Sequence, residues 1–109
     1  MANKTFDFNK RKKEFLTVTL PDEKKTVLLI GNPTKKISDE LTSFYDSIDA
    51  ADESVVDDLY HICAQIMSRN KGGIEISKEY IEDILDIEDV VSFISSYADF
   101  IGSIYQQKN

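Results

Sequence analysis

The last third of the sequence constrains the fold most, because it predicts one long helix whose apolar face is unusually wide. From about Asp86 to Tyr105, apolar residues fall on two neighbouring lines when successive residues are placed about 100° apart. The first seam is Ile87, Val90, Val91, Ile94, Ala98, Ile101 and Tyr105, and the second seam is Phe93, Tyr97, Phe100 and Ile104. Together the two seams cover about half of the helix surface.

A domain of this size can bury one such line against its own core, so we predict that the second seam contacts another protein. Aromatic side chains dominate that seam, and they are typical of surfaces that anchor a partner. The candidate contact residues are Phe93, Tyr97, Phe100, Ile104 and Tyr105. Phe44 and Tyr45 are secondary candidates, since two adjacent residues of one helix cannot both face the same core. The other interpretation, in which these aromatics are all core residues, stays open.

Length and charge narrow the function. We expect a single domain over residues 1–109, because 109 residues with 41% apolar composition can build one modest core. The net charge of −7 disfavours a nucleic-acid partner, which requires a concentrated positive face. The one basic run, 10–13, has no interleaved aromatics, and we interpret it as a solvated turn.

We expect a cytoplasmic protein with no membrane segment. The first thirteen residues are mostly polar and do not form a signal peptide. The longest apolar run, Val27 to Ile30, is far shorter than the roughly 20 residues that span a bilayer. A single cysteine, Cys63, cannot form an intramolecular disulfide and is best explained as a small buried apolar residue.

The patterning predicts an α+β fold that is mainly helical, with an N-terminal β-hairpin packed on about four α-helices. Leu16, Val18 and Leu20 alternate with threonines, and a second aliphatic run follows the turn residues 21–24. The segment around Phe6 is a candidate third strand. The helices are predicted to begin at caps or turn residues and to end at breaks: Asn32 or Thr34 to about Ala50, Asp52 to Gly72-Gly73, Ser77 to Leu85, and Asp86 to Tyr105.

No constellation of residues indicates catalysis, a cofactor or a metal. His61 is the only histidine, and it lies about 200° from Cys63 around the same predicted helix, with no further ligands at workable spacing. The acidic pairs at 57–58, 82–83 and 88–89 fall on outward faces, where solvation explains them better than acid–base chemistry. No glycine-rich phosphate loop is present. We therefore expect no enzyme activity, no cofactor and no metal.

The chain resembles the small acidic tail assembly chaperones of long-tailed phages and prophages of Gram-positive bacteria. The resemblance lies in a hairpin with the sequence EFLTVTLPDEKKTVLLIG, a helix that opens at NPTKKISDELTSFYD, a break at SRNKGG and the closing helical segment ISKEYIEDILDIEDVVSFISSYADFIGSIYQ. It implies a protein that binds copies of itself and coats the hydrophobic, helical tape measure protein before the tail tube forms around it.

A different class of function competes with this expectation. A small acidic inhibitor or DNA mimic would use exposed carboxylates to imitate a phosphate array and to block a basic site. Strong salt dependence of binding would distinguish such a protein from one that binds through an apolar helix face.

Overall fold

The structure, a computed structural model, describes residues 4–10, 12–47 and 53–106, without the side chains of 47, 53, 105 and 106. It confirms the predicted mainly helical α+β fold, with a two-stranded antiparallel hairpin followed by four helices. The elements are β1 (Leu16–Thr19), β2 (Val27–Ile30), α1 (Lys35–Ser47), α2 (Glu53–Met67), α3 (Lys78–Ile84) and α4 (Ile87–Gln106). The predicted helix end at Ala50 and cap at Asp52 lie outside the described residues.

The hairpin places one face of each strand on the core. Leu16 pairs with Ile30 and Val18 with Leu28, and these four side chains point inward, with those of β2 fully buried and those of β1 half-buried. Between the strands, Asp22 fixes the turn, because its carboxylate accepts hydrogen bonds from the backbone N–H and the hydroxyl of Thr26. A lone hairpin is marginal in water. This one is held by the packing of β2 on α2.

The segment around Phe6 does not form a third strand. Residues 8–10 form a short 3-10 turn instead, and the side chain of Asp7 accepts a hydrogen bond from the backbone N–H of Asn9 at 2.9 Å. This local bond competes with an extended conformation, as Asp side chains commonly do. Phe6 and Phe8 are both exposed, and their rings contact each other edge to face.

Helix α2 is the centre of the fold, and it packs against α1, α3, α4 and β2. A helix with neighbours on several sides needs apolar residues around most of its circumference. Its buried residues are Leu59, Tyr60, Ile62, Cys63, Ala64, Ile66 and Met67. Of its polar residues, Asp57, Asp58 and His61 remain exposed.

Local capping explains where three of the helices begin. The hydroxyl of Thr34 accepts the N–H of Ile37 at the start of α1, and the hydroxyl of Ser77 accepts the N–H of Tyr80 at the start of α3. Asp86 and Asp89 cap α4 reciprocally, since each carboxylate accepts the backbone N–H of the other residue. The predicted caps Thr34, Ser77 and Asp86 are therefore confirmed.

The predicted end of α2 at Gly72-Gly73 is wrong, since the helix ends at Met67. After Met67, two polar side chains form hydrogen bonds to the backbone of the segment that connects α2 to α3. The amide of Asn70 bonds both the N–H and the carbonyl of Ile74, and the hydroxyl of Ser68 bonds both the N–H and the carbonyl of Ile76. Gly73, with φ of +71°, serves the turn that follows Asn70.

Candidate protein-binding face

The buried line of α4 runs between the two predicted seams. Its best buried residues are Val90 and Ile94 of the first seam and Tyr97 of the second. These three side chains belong to the core, and α2 is the element on which α4 chiefly packs. The division into one seam for the core and one for a partner is therefore wrong. The sequence gives the width of the apolar face, but the position of α2 decides which part of it is covered.

Two partly exposed apolar strips remain, one on each side of this buried line. The first strip is Ile87, Val91 and Ala98, in which Ile87 and Val91 each keep 51% of their surface exposed. The second strip is Phe93, Phe100 and Ile104, which are half-buried. The most accessible apolar residues of α4 thus come from the seam that was predicted to be core.

Tyr97, a predicted contact residue, is a core residue. Its side chain has no exposed surface, and its ring lies 6.2 Å from the rings of both Phe93 and Phe100, centroid to centroid. Its hydroxyl donates a hydrogen bond to the backbone carbonyl of Gly31 at 3.2 Å. Burial raises the pKa of this phenol to about 12, although the charge of Arg69 opposes the shift. A partner could not reach Tyr97 without opening the core.

The other predicted contact residues divide between the core and the surface. Phe44 is buried and Tyr45 is exposed, which confirms that only one of these adjacent rings faces the core. Phe44 is thereby corrected from a candidate contact to a core residue. Phe93 and Phe100 are half-buried and pack against the core, and the ring of Phe93 stacks on that of Tyr97. The side chain of Tyr105 lies outside the described residues.

Polar side chains cover the opposite side of α4. Ser92, Ser95, Ser96, Asp99 and Ser103 are all exposed there. Helix α4 therefore has an apolar strip on each side of its buried line and a polar surface opposite that line. An amphipathic helix laid along either strip would bury apolar surface and leave most of these polar groups in solvent.

The chemistry available elsewhere is limited. Cys63 is fully buried, and the loss of solvation raises the pKa of its thiol to about 12. His61 faces solvent beside a groove between α1 and α2, so the thiol and the imidazole lie on different sides of α2. Within the described ranges, no group of three or more His, Cys, Asp or Glu side chains is placed to hold a metal ion.

Sequence reasoning missed one polar cluster that joins distant parts of the fold. The hydroxyl of Tyr80 on α3 donates to the carboxylate of Asp22 in the hairpin turn at 2.6 Å. Hydrogen bonds from Tyr80 first, and then from Thr26, lower the pKa of Asp22 to about 2. The turn signal at Asp22 was visible in the sequence, but its partner lies 58 residues away and has no local signature.

None of the helices in the described part of the chain is long and apolar enough to cross a membrane. Comparison of the chain with models of protein families, with curated proteins and with solved structures finds no match.

Proposed function

We propose that this chain is a non-catalytic protein-binding module, and that it acts as a phage tail assembly chaperone for a hydrophobic, helical tape measure protein. The observation that carries the proposal is the pair of apolar strips beside the buried line of α4. Ile87 and Val91 stand half exposed on one side, and Phe93 and Phe100 are half-buried on the other. Docking of a helix in an apolar groove or margin is a common way for proteins to recognise such partners.

The polar side of the helix suits a chaperone. The exposed serines and Asp99 on the back of α4, together with a net charge of −7, would keep a complex with an apolar partner in solution. The two apolar strips would recognise an apolar helix face and not one particular sequence. They would therefore also bind the α4 helix of a second copy. The proposal therefore includes self-association as well as partner binding.

The test uses a synthetic amphipathic helix of about 20 residues, which matches the length of α4. One face of the peptide carries leucines, and the other carries neutral glutamines and serines so that charge attraction is excluded. Binding is measured by fluorescence anisotropy of the labelled peptide. We expect I87D and V91D each to weaken binding by about tenfold, since a buried charge disrupts an apolar contact.

Matched controls place the same charge on the polar side of the same helix. S92D and S96D should leave the affinity unchanged, and circular dichroism should show that all four variants keep their helical content. Retained binding by V91D would contradict docking on the first strip. Equal weakening in all four variants would show a general effect of charge and would also contradict the proposal.

Exposed acidic side chains favour the second candidate, a small acidic inhibitor or DNA mimic. Glu79, Glu82, Asp83 and Glu88 are all exposed around the junction of α3 and α4. Such a protein would bind a lysine-rich peptide with an affinity that falls steeply between low and high salt. Binding of the neutral leucine-faced peptide should hardly change over the same range, so one salt series separates the two functions.

A further inference from the structure

Strand β1 has an open edge. The N–H of Leu20 donates to the carbonyl of Thr26, and Leu16 and Val18 occupy equivalent positions in the register with β2. In an antiparallel ladder only alternate residues direct their backbone groups to the neighbouring strand. The N–H and carbonyl groups of Thr17 and Thr19 therefore point away from β2. Nothing in the described part of the chain bonds to them.

The other edge of the hairpin is already covered. The carbonyl of Leu29 in β2 accepts the N–H of Lys71 at 2.9 Å, and Ile30 forms an isolated bridge with Asn70. The chain after α2 thus covers the end of β2 at Leu29 and Ile30. Within the described residues, the β1 edge is the one without such cover.

We propose that a second copy of this chain occupies the β1 edge, so that two hairpins form one four-stranded antiparallel sheet. The symmetric register places Thr17 opposite Thr17 of the second copy, which pairs two residues whose backbone groups both point outward. Three or more strands with an apolar face are far more stable than an isolated pair. This surface is distinct from the strips of α4, so the two sites can be tested separately.

Charge complementarity favours a second copy in this orientation. Lys12 and Lys13 are exposed just before β1, and Pro21, Asp22 and Glu23 follow it. With Thr17 at the symmetry axis, the lysines that precede β1 in each copy lie at the same end of the sheet as the acidic turn of the other copy. A parallel arrangement would instead bring the lysines of the two copies together. Lysines at an exposed edge usually discourage strand pairing, but here they oppose only the parallel form.

The N-terminal arm adds a second contact in the same arrangement. Residues 4–10 of each copy would then lie on the side of the other copy's hairpin turn. A groove of about 760 Å³ lies beside that turn, with Leu20, Pro21, Ile74 and Ile84 among its lining residues. The exposed rings of Phe6 and Phe8 are the apolar groups of the arm that could enter it.

Amide hydrogen exchange of the wild-type protein, followed by NMR at low and at high protein concentration, tests the proposal directly. We expect exchange at Thr17 and Thr19 to slow by about tenfold or more as the dimer forms. The amide of Val18 is the comparison: it already bonds to β2 in the monomer, so its exchange should slow by much less than that of Thr17 and Thr19. Unaltered exchange at Thr17 and Thr19 in a dimerising protein would overturn the proposal, as would a protein that stays monomeric at every concentration.

Variants then separate this edge from α4. T17P removes an outward N–H without breaking a bond to β2, and should raise the dimer dissociation constant at least about tenfold, whereas T17V should not. Reversal of charge in K12E/K13E should weaken the dimer, and further addition of E23K should restore part of the loss. A dimer that forms as tightly in T17P as in the wild-type protein would overturn the proposal. Binding of the leucine-faced peptide to α4 should be the same in T17P and T17V. If the peptide does not bind to either variant or to the wild-type protein, that result contradicts the proposed function and leaves the β1 proposal unaffected.

Discussion

The hydroxyl of Tyr97 donates a hydrogen bond to the backbone carbonyl of Gly31, across 66 residues of sequence. This bond joins the middle of α4 to the end of β2, so it connects the last helix to the hairpin. The ring of Tyr97 is fully buried at the same point. The side chain of Tyr97 therefore packs in the apolar core and also forms a hydrogen bond between α4 and the hairpin.

Removal of this hydroxyl should lower stability by a small but measurable amount. Y97F keeps the buried ring and leaves the carbonyl of Gly31 without its donor, and we expect the free energy of unfolding to fall by about 1 kcal/mol. Urea denaturation followed by circular dichroism gives the value. Y45F is the control, since the ring of Tyr45 is exposed, and it should change stability by less than about 0.5 kcal/mol. An equal loss in both variants would contradict a structural role for the bond.

The bond from Tyr80 to Asp22 predicts a pH dependence of stability. The carboxyl of Asp22 has a pKa of about 2 in the folded protein, below its ordinary value of 3.8. A depressed pKa contributes stability that is complete above 3.8 and is lost as the pH falls through about 2. In Y80F, which removes the largest cause of the shift, we expect the pKa of Asp22 to rise toward 3.8, as measured by NMR titration of its carboxyl carbon. Y45F should leave this pKa unchanged, and a Y80F titration identical to wild type would rule out the bond.

Periodicity and capping predicted most of the fold, because their signals are local. The alternation of Leu16, Val18 and Leu20 with threonines predicted the hairpin. The capping residues Ser77 and Asp86 predicted where two helices begin. A cap bonds an amide three residues away, so sequence alone can reveal it. The period of a helix likewise shows how wide its apolar face is.

The orientation of α4 could not be predicted in the same way. Burial of Tyr97 depends on Gly31, and exposure of Val91 depends on where α2 lies against α4. Both are contacts between residues that are distant in the sequence. The end of α2 was missed although its contacts are local, because the amide of Asn70 and the hydroxyl of Ser68 replace the backbone partners that a glycine cap would provide.

Loss of the Asn70 amide should loosen the chain between α2 and α3. This buried side chain donates to the carbonyl groups of Met67 and Ile74 and accepts the N–H of Ile74 at 2.8 Å. We expect N70A to destabilise the fold by about 2–3 kcal/mol, since buried backbone groups lose their partners. Faster exchange of the Ile74 amide should accompany the loss. As a control, N32A changes an exposed side chain and should leave both quantities nearly unaltered.

Burial should protect Cys63 from alkylation. Only the thiolate reacts, and burial raises the pKa of the thiol from 9.0 to about 12, so little thiolate forms in the folded protein at pH 8. We expect iodoacetamide to modify the unfolded protein in urea at least about a hundredfold faster than the native protein. Because the pKa is raised on folding, stability should also decline as the pH rises above 9.0. Equal rates in native and unfolded protein would show that Cys63 is accessible.

Charge substitutions on the two strips of α4 should differ in their effect on folding. Phe93 and Phe100 touch the core, so F93D and F100D remove packing and should lower the free energy of unfolding by about 2 kcal/mol or more. Val91 is half exposed, so an aspartate at this position keeps its carboxylate in water. V91D should therefore change stability by less than about 1 kcal/mol. If V91D unfolds the protein while F93D does not, the first strip of α4 is more deeply buried than the second, which contradicts the structure. Weaker peptide binding by V91D would then reflect lost structure and not a lost contact.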